Sequence, residues 1–217
     1  MGSDDIHRKR KARALKELKR KEATKQPYDR VLIVCEGTKT EPLYFRSLID
    51  DYKLSNANIK VEPSPDSCPL RLVNYAFQFN QDRAYDRIYC VMDKDRHAHY
   101  KDAVQKVNGR NSLFLANSVP CFEYWLLLHY ELSTNQFYGT ASKTPGDEAV
   151  SQLKKYIPDY RKGKTGIYNF LKPYNEIAKQ NAKIVNSEAI KAGTDNPSTK
   201  VVELVEYLEQ LRDLAAS

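Results

Sequence analysis

Two short runs constrain this chain more than anything else in it. "RVLIVC", Arg30 to Cys35, and "DRIYCVM", Asp86 to Met92, are nearly continuous apolar stretches rich in β-branched residues. Runs of this length and makeup fit strands covered on both faces, as in parallel sheets whose crossovers are helices. The segments around them alternate in the matching way. "TEPLYFRSLIDDYKL" has helical spacing, with Thr40 placed to cap it and Pro42 suited to its first turn. "NIKVEP" reads as a short strand, "PLRLVNYAFQFN" as a helix, "HYKDAVQKVNG" as a helix closed by Gly109, and "NSLFLANS" as a further strand. The order β-α-β-α-β-α-β predicts an α/β fold, a parallel sheet flanked by helices.

From Pro120 the pattern turns helical. "PCFEYWLLLHYEL", "GDEAVSQLKKYI", "TGIYNFLKPYNEIAKQNAKIVNSEAIKA" and "STKVVELVEYLEQLRDL" predict helices packed on or beside the sheet, with Pro173 interrupting the third. The expected organisation is a basic arm over residues 1–27, an α/β domain over 28–118 and a C-terminal helical region over 119–217. Of the net charge of +7, residues 1–30 supply +6, so the body is close to neutral. The arm is positioned by composition to neutralise phosphates, or to lie solvated. No apolar run approaches the roughly 20 residues of a membrane span, and no apolar segment near Met1 resembles a secretory leader. Cys35, Cys68, Cys90 and Cys121 are scattered, without the close pairs of a zinc site. These features predict a cytoplasmic protein with reduced thiols and no membrane partner.

Both diagnostic runs end in acids. Val34-Cys35 leads into Glu36, and Val91-Met92 leads into Asp93 and Asp95. Ligands of open parallel sheets bind beyond the carboxyl ends of the strands. If the two strands are neighbours, three carboxylates meet at one edge, where they repel each other and resist desolvation. A hard divalent cation, Mg²⁺ or Mn²⁺, relieves both effects. Glu41 is open between a ligand for a second metal and an acid favoured by a helix start. Gly37 suits a sharp turn or a close backbone approach.

The segments "LIVCEGTKTEPLYF" and "YCVMDKDRH" resemble the Toprim fold of topoisomerases, primases and overcoming-lysogenization-defect nucleases. With "NSVPCFEYWLLLHY" and "NPSTKVVELV", the chain from about Arg30 to its end resembles the RloB-like family, found near bacterial restriction and antiphage genes. The resemblance implies that Asp93 and Asp95 hold the divalent metal, with Glu36 a ligand or an acid/base, and that Glu41 matches the second glutamate of the nuclease branch. It implies a metal-dependent nuclease hydrolysing phosphodiesters of RNA, tRNA included, or DNA, in antiviral defence and abortive infection. The alternatives are a non-catalytic nucleic-acid or partner-binding subunit, or a Toprim-type nucleotidyl or phosphotransfer enzyme. Coupling to a partner ATPase is also implied. The sequence has no Walker-type phosphate loop, so that ATPase would be another chain. A homo-oligomer is left open.

Several residues carry two readings. Lys39, Lys94 and Arg96 would hold a phosphate or be ordinary surface cations beside acids. His97 would be a general acid, a ligand or a loop histidine. Glu123, at the start of its helix, would approach the carboxylates. His129 lies six residues on, about 600° of rotation away, and reads as structural. Tyr156, Tyr160 and Tyr168, set among lysines and arginines, would stack on bases or pack as helix faces.

Overall fold

The computed structural model describes residues 28–94, 97 and 99–216. The basic arm, Asp95 and Arg96 lie outside the described residues. Four parallel strands form the central sheet: β1 (Val31–Cys35), β2 (Ile59–Pro63), β3 (Arg87–Val91) and β4 (Leu113–Leu115), in the order β2-β1-β3-β4. Helices α1 (Thr40–Asp51), α2 (Pro69–Phe79) and α3 (Tyr100–Asn108) make the crossovers. The α/β class expected from the two apolar runs is what the chain forms.

Strand alternation divides the core. Leu32 and Val34 of β1 face α2 and α3 and pack with Leu72, Ala76, Cys90 and Ala103. Val31, Ile33 and Cys35 point the other way, towards α1 and the C-terminal helices, and join Tyr44, Phe45, Trp125, Tyr168, Val185 and Leu204. All five β1 side chains are buried. Burying an aliphatic side chain of this size contributes about 1.5–3 kcal/mol. The helical region shares one core with the sheet. It comprises α4 (Phe122–Leu127), α5 (Pro145–Leu153), α6 (Ile167–Leu171), α7 (Asn175–Lys191) and α8 (Val201–Ala216). Pro173 falls in a short 3-10 segment between α6 and α7, where its ring interrupts the α-helical ladder.

Three local details differ from the sequence pattern. "NSLFLANS" is two strands, β4 and a two-residue β5 (Ser118–Val119), which pairs antiparallel with β6 (Ser198–Thr199). The helix beginning at Phe122 stops at Leu127, short of the apolar run. Thr40 does not cap α1, since Lys39 is the N-cap residue and no side chain caps it. The Thr40 hydroxyl instead accepts a bond from the Gly163 N–H at 2.9 Å, tying α1 to the loop before α6. Among the described residues no helix is long and apolar enough to cross a membrane.

Candidate functional site

The chain runs from β1 to β2 on one side, then crosses β1 to place β3 on the other. That reversal is the topological switch point at which open sheets form a crevice beyond their carboxyl ends. Glu36 and Asp93 stand there. Cys35 is in register with Val91, and the ladder extends one step further, because the Glu36 N–H donates to the Val91 carbonyl at 2.9 Å. Glu36 therefore leaves β1 beside Asp93. Its Oε2 accepts the Asp93 N–H at 3.0 Å, and its Oε1 lies 3.0 Å from His97 Nε2.

Two more carboxylates enter from helix starts. Glu41 lies in the first turn of α1 and Glu123 in the first turn of α4, both buried. The turn between β1 and α1 passes so close to Glu41 that a Cβ on Gly37 would lie 2.2 Å from Glu41 Oε2. A side chain at Gly37 would therefore force the Glu41 carboxylate to move. Glu123 Oε1 accepts the Tyr160 hydroxyl at 2.9 Å, and its Oε2 lies 3.8 Å from Lys162 Nζ. Gly163 follows at φ +80°, a conformation that favours glycine, and its bond to Thr40 anchors the loop carrying Lys162. The result is an open pocket of about 250 Å³ between the four acids, Ser67 and Lys162.

The electrostatics follow from crowding. Burial, then the charges of Glu41, Glu123 and Glu36, push the Asp93 carboxyl well above its usual range. Burial, with Glu123 and Glu36 adding to it, raises Glu41 to about 7. Glu36 is raised by burial, against the lowering effect of the Asp93 N–H and His97. Burial opposes the charge on Lys162, but the surrounding acids, Glu123 foremost, hold its ammonium above the ordinary lysine value.

Of the residues singled out in the sequence, the structure brings Glu36, Gly37, Lys39, Glu41, Asp93 and Glu123 to one pocket, with His97 bonded to Glu36. Lys94 does not line it. Its ammonium pairs with Asp195 at 2.5 and 2.7 Å. His129 is buried, with Nδ1 3.1 Å from the Trp125 carbonyl and Nε2 3.1 Å from the Asn175 amide, and burial lowers its pKa to about 4. Tyr160 and Tyr168 are buried as packing and hydrogen-bonding groups. Tyr156 lies partly exposed, stacked on Tyr130 with ring centroids 4.9 Å apart. Lys162 is the participant that sequence reasoning missed, and Tyr160, named there for stacking on bases or helix packing, instead donates to Glu123. The only local signal was the pair of glycines around "RKGKTG", which marks a turn without saying where it points.

The donor set has the chemistry of a hard divalent cation: carboxylate oxygens in excess, with two nearby nitrogen bases. Among the described residues no group of three His, Cys, Asp or Glu side chains is placed so that it could hold a metal ion. Asp95 lies outside the described residues. Glu36, Glu41, Asp93 and Glu123 are therefore the described side chains that would supply oxygens, and a cation there would offset their mutual repulsion.

No curated protein matches the chain, and no solved structure matches it. A family model described as RloB-like protein matches residues 31–208, from the first strand to the middle of the last helix. With that match covering most of its length, the chain belongs to the RloB-like family.

Proposed function

We propose that the protein is a divalent-metal-dependent nuclease of a bacterial antiphage system, acting on RNA, tRNA included, or on DNA, in the cytoplasm. The observation that carries this reading is the surplus of buried carboxylates at the β1/β3 switch point, facing an open pocket. In soluble folds, such a surplus is held only where something returns the cost of packing like charges together. Mg²⁺ or Mn²⁺, bound there, would supply Lewis-acid stabilisation of a phosphodiester in its transition state. Glu36 and Asp93 would hold it, joined through the resemblance by Asp95, with Glu41 and Glu123 adding oxygens. The Asp93 N–H fixes the Glu36 carboxylate. Lys162, anchored through Gly163 and Thr40, places an ammonium where the charge of a substrate phosphate would lie. A partner ATPase would be a separate chain.

Purified protein incubated with RNA and DNA panels, in Mg²⁺ or Mn²⁺ and in EDTA, tests the reading. Metal-dependent cleavage that disappears in Glu36→Gln and Asp93→Asn supports it. Cleavage that is absent with every substrate, or unchanged in both variants, overturns it. The second reading is a nucleic-acid or partner-binding subunit. It is favoured by Lys162, whose ammonium already offsets part of the acidic charge, and by the contact of His97 with Glu36. Calorimetric titration that finds no Mg²⁺ or Mn²⁺ binding would select it. A nucleotidyl or phosphotransfer enzyme on the same residues would show nucleotide turnover in place of cleavage.

A further inference from the structure

The segment "NPSTK" contributes no side chain to the pocket, yet it pairs with β5, which bridges to Asp93. In β6, Thr199 pairs with Ser118 of β5, and their hydroxyls lie 2.9 Å apart. The Lys200 N–H donates to the Asn117 carbonyl at 2.8 Å, fixing the same stretch. Ser118 in turn bridges to Asp93, and its carbonyl accepts the Lys94 N–H at 3.0 Å. Just before β6, the Asp195 carboxylate accepts two bonds from the Lys94 ammonium. The Asp195 loop is itself braced, since the Ser198 hydroxyl donates to the Asp195 carbonyl at 2.7 Å. Asp93 is therefore gripped from both sides: Glu36 takes its N–H, while β5 and Asp195 hold the next residue by backbone and side chain.

We propose that Asp195 is a positioning residue for Asp93, acting through Lys94, and that this clamp is what the segment leading into β6 contributes to the site. The inference rests on the metal-dependent reading of the pocket. The two members of the Lys94–Asp195 pair are each one-third to one-half exposed, so the pair adds little to global stability. Its effect is orientation, as with the outer partners of metal ligands, whose loss typically costs tenfold or more in affinity.

The clamp and simple electrostatics predict opposite signs at Lys94. If Lys94 were only a nearby cation, removing it would strengthen binding of a divalent metal. If it transmits the Asp195 clamp, removing it weakens binding. Mn²⁺ titration of the full chain, followed by electron paramagnetic resonance, reads this directly, with thermal unfolding in EDTA alongside. Lys94→Met and Asp195→Asn are each expected to weaken Mn²⁺ binding about tenfold, roughly 1.4 kcal/mol. The double variant should be no weaker than either single one, and Lys94→Arg, which preserves the pair, should bind nearly as the wild type does. Tm should move by less than about 2 °C in each. Lys94→Met binding as tightly as wild type or tighter, or losses that add in the double variant, would overturn the clamp while leaving the metal reading intact. A wild-type protein that binds no Mn²⁺ overturns both.

Discussion

At the amino-terminal end of β1 and β3, every acid has an answer. Asp29 accepts from Arg87 Nε at 3.2 Å and from the Tyr207 hydroxyl, and Asp86 takes the Arg30 N–H at 2.8 Å. The Arg87 guanidinium lies 4.3 Å from the Tyr207 ring centroid and 4.9 Å from that of Phe114, so its charge is shared between a carboxylate and two aromatic faces. Five residues along the same two strands, Glu36, Glu41, Asp93 and Glu123 crowd a pocket that Lys39 and Lys162 also line, with His97 against Glu36. The two ends are built from the same kinds of residue. One end is arranged so that charges cancel and α8 is stapled to the sheet. The other crowds carboxylates together, which costs stability and, in the metal-dependent reading proposed above, would leave a place for a cation.

The strongest way to break this contrast is Asp93→Asn. Removing a ligand should exceed the 10–100-fold loss typical of outer partners, so Mn²⁺ affinity should fall about a hundredfold or more. The same change should raise Tm in EDTA at pH 8, because the cost of crowding an ionisable carboxyl among other acids is gone. A variant that binds less metal and is also less stable would contradict the idea that the edge is held under repulsion. Gly37→Ala comes next. The added methyl would push the tip of the Glu41 side chain aside, which should weaken Mn²⁺ binding while costing the fold only about 1 kcal/mol, as titration and denaturant unfolding would show.

The opposite end supplies the control. Arg87→Ala removes the Asp29 contact and both ring contacts, for an expected loss of about 1–2 kcal/mol, with Mn²⁺ affinity unchanged. A change in metal affinity there would mean that the two ends are coupled.

The smallest effect is a pH slope. Glu41 ionises near 7 in the fold against an ordinary 4.5, so the folded chain holds a proton that the unfolded chain has released. Stability from this group is full below 4.5 and is lost as pH rises through 7. His129 works the other way, since its folded value near 4 lies below the ordinary 6.5, and its contribution is lost as pH falls from 6.5. Above pH 6.5 the slope comes from the raised carboxylates, Glu41 together with Asp93 and Glu36. In EDTA, Tm should decline between pH 6.5 and 8, and Glu41→Gln should flatten the decline. An unchanged slope in that variant would remove Glu41 as its source.

The acidic edge was legible because strand geometry is local. An apolar run of five residues, ending in Glu36 or Asp93, states both its burial and its exit point, and parallel pairing of β1 with β3 does the rest. The crossover helices were legible for the same reason. Lys162 was not, because its position depends on a loop from the helical layer returning to Thr40, a contact spanning more than half the chain. Thr40 itself misled: a threonine at a helix start suggests a cap, but this hydroxyl is taken by Gly163. Two-residue strands such as β5 and β6 are too short for any period to show, and the Asp195 contact with Lys94 goes unseen with them.

The pairing of Thr199 with Ser118 also has a meaning in time. Roughly a hundred residues separate Asp93 from β6, which at the usual rate of synthesis is on the order of 5 to 20 s of elongation. Through that interval the growing chain carries Glu36, Glu41 and Asp93, gains Glu123 and then the tyrosine–lysine loop, and acquires last the segment that steadies Asp93. An incomplete chain released from the ribosome would therefore hold the carboxylates without the parts that set them in order.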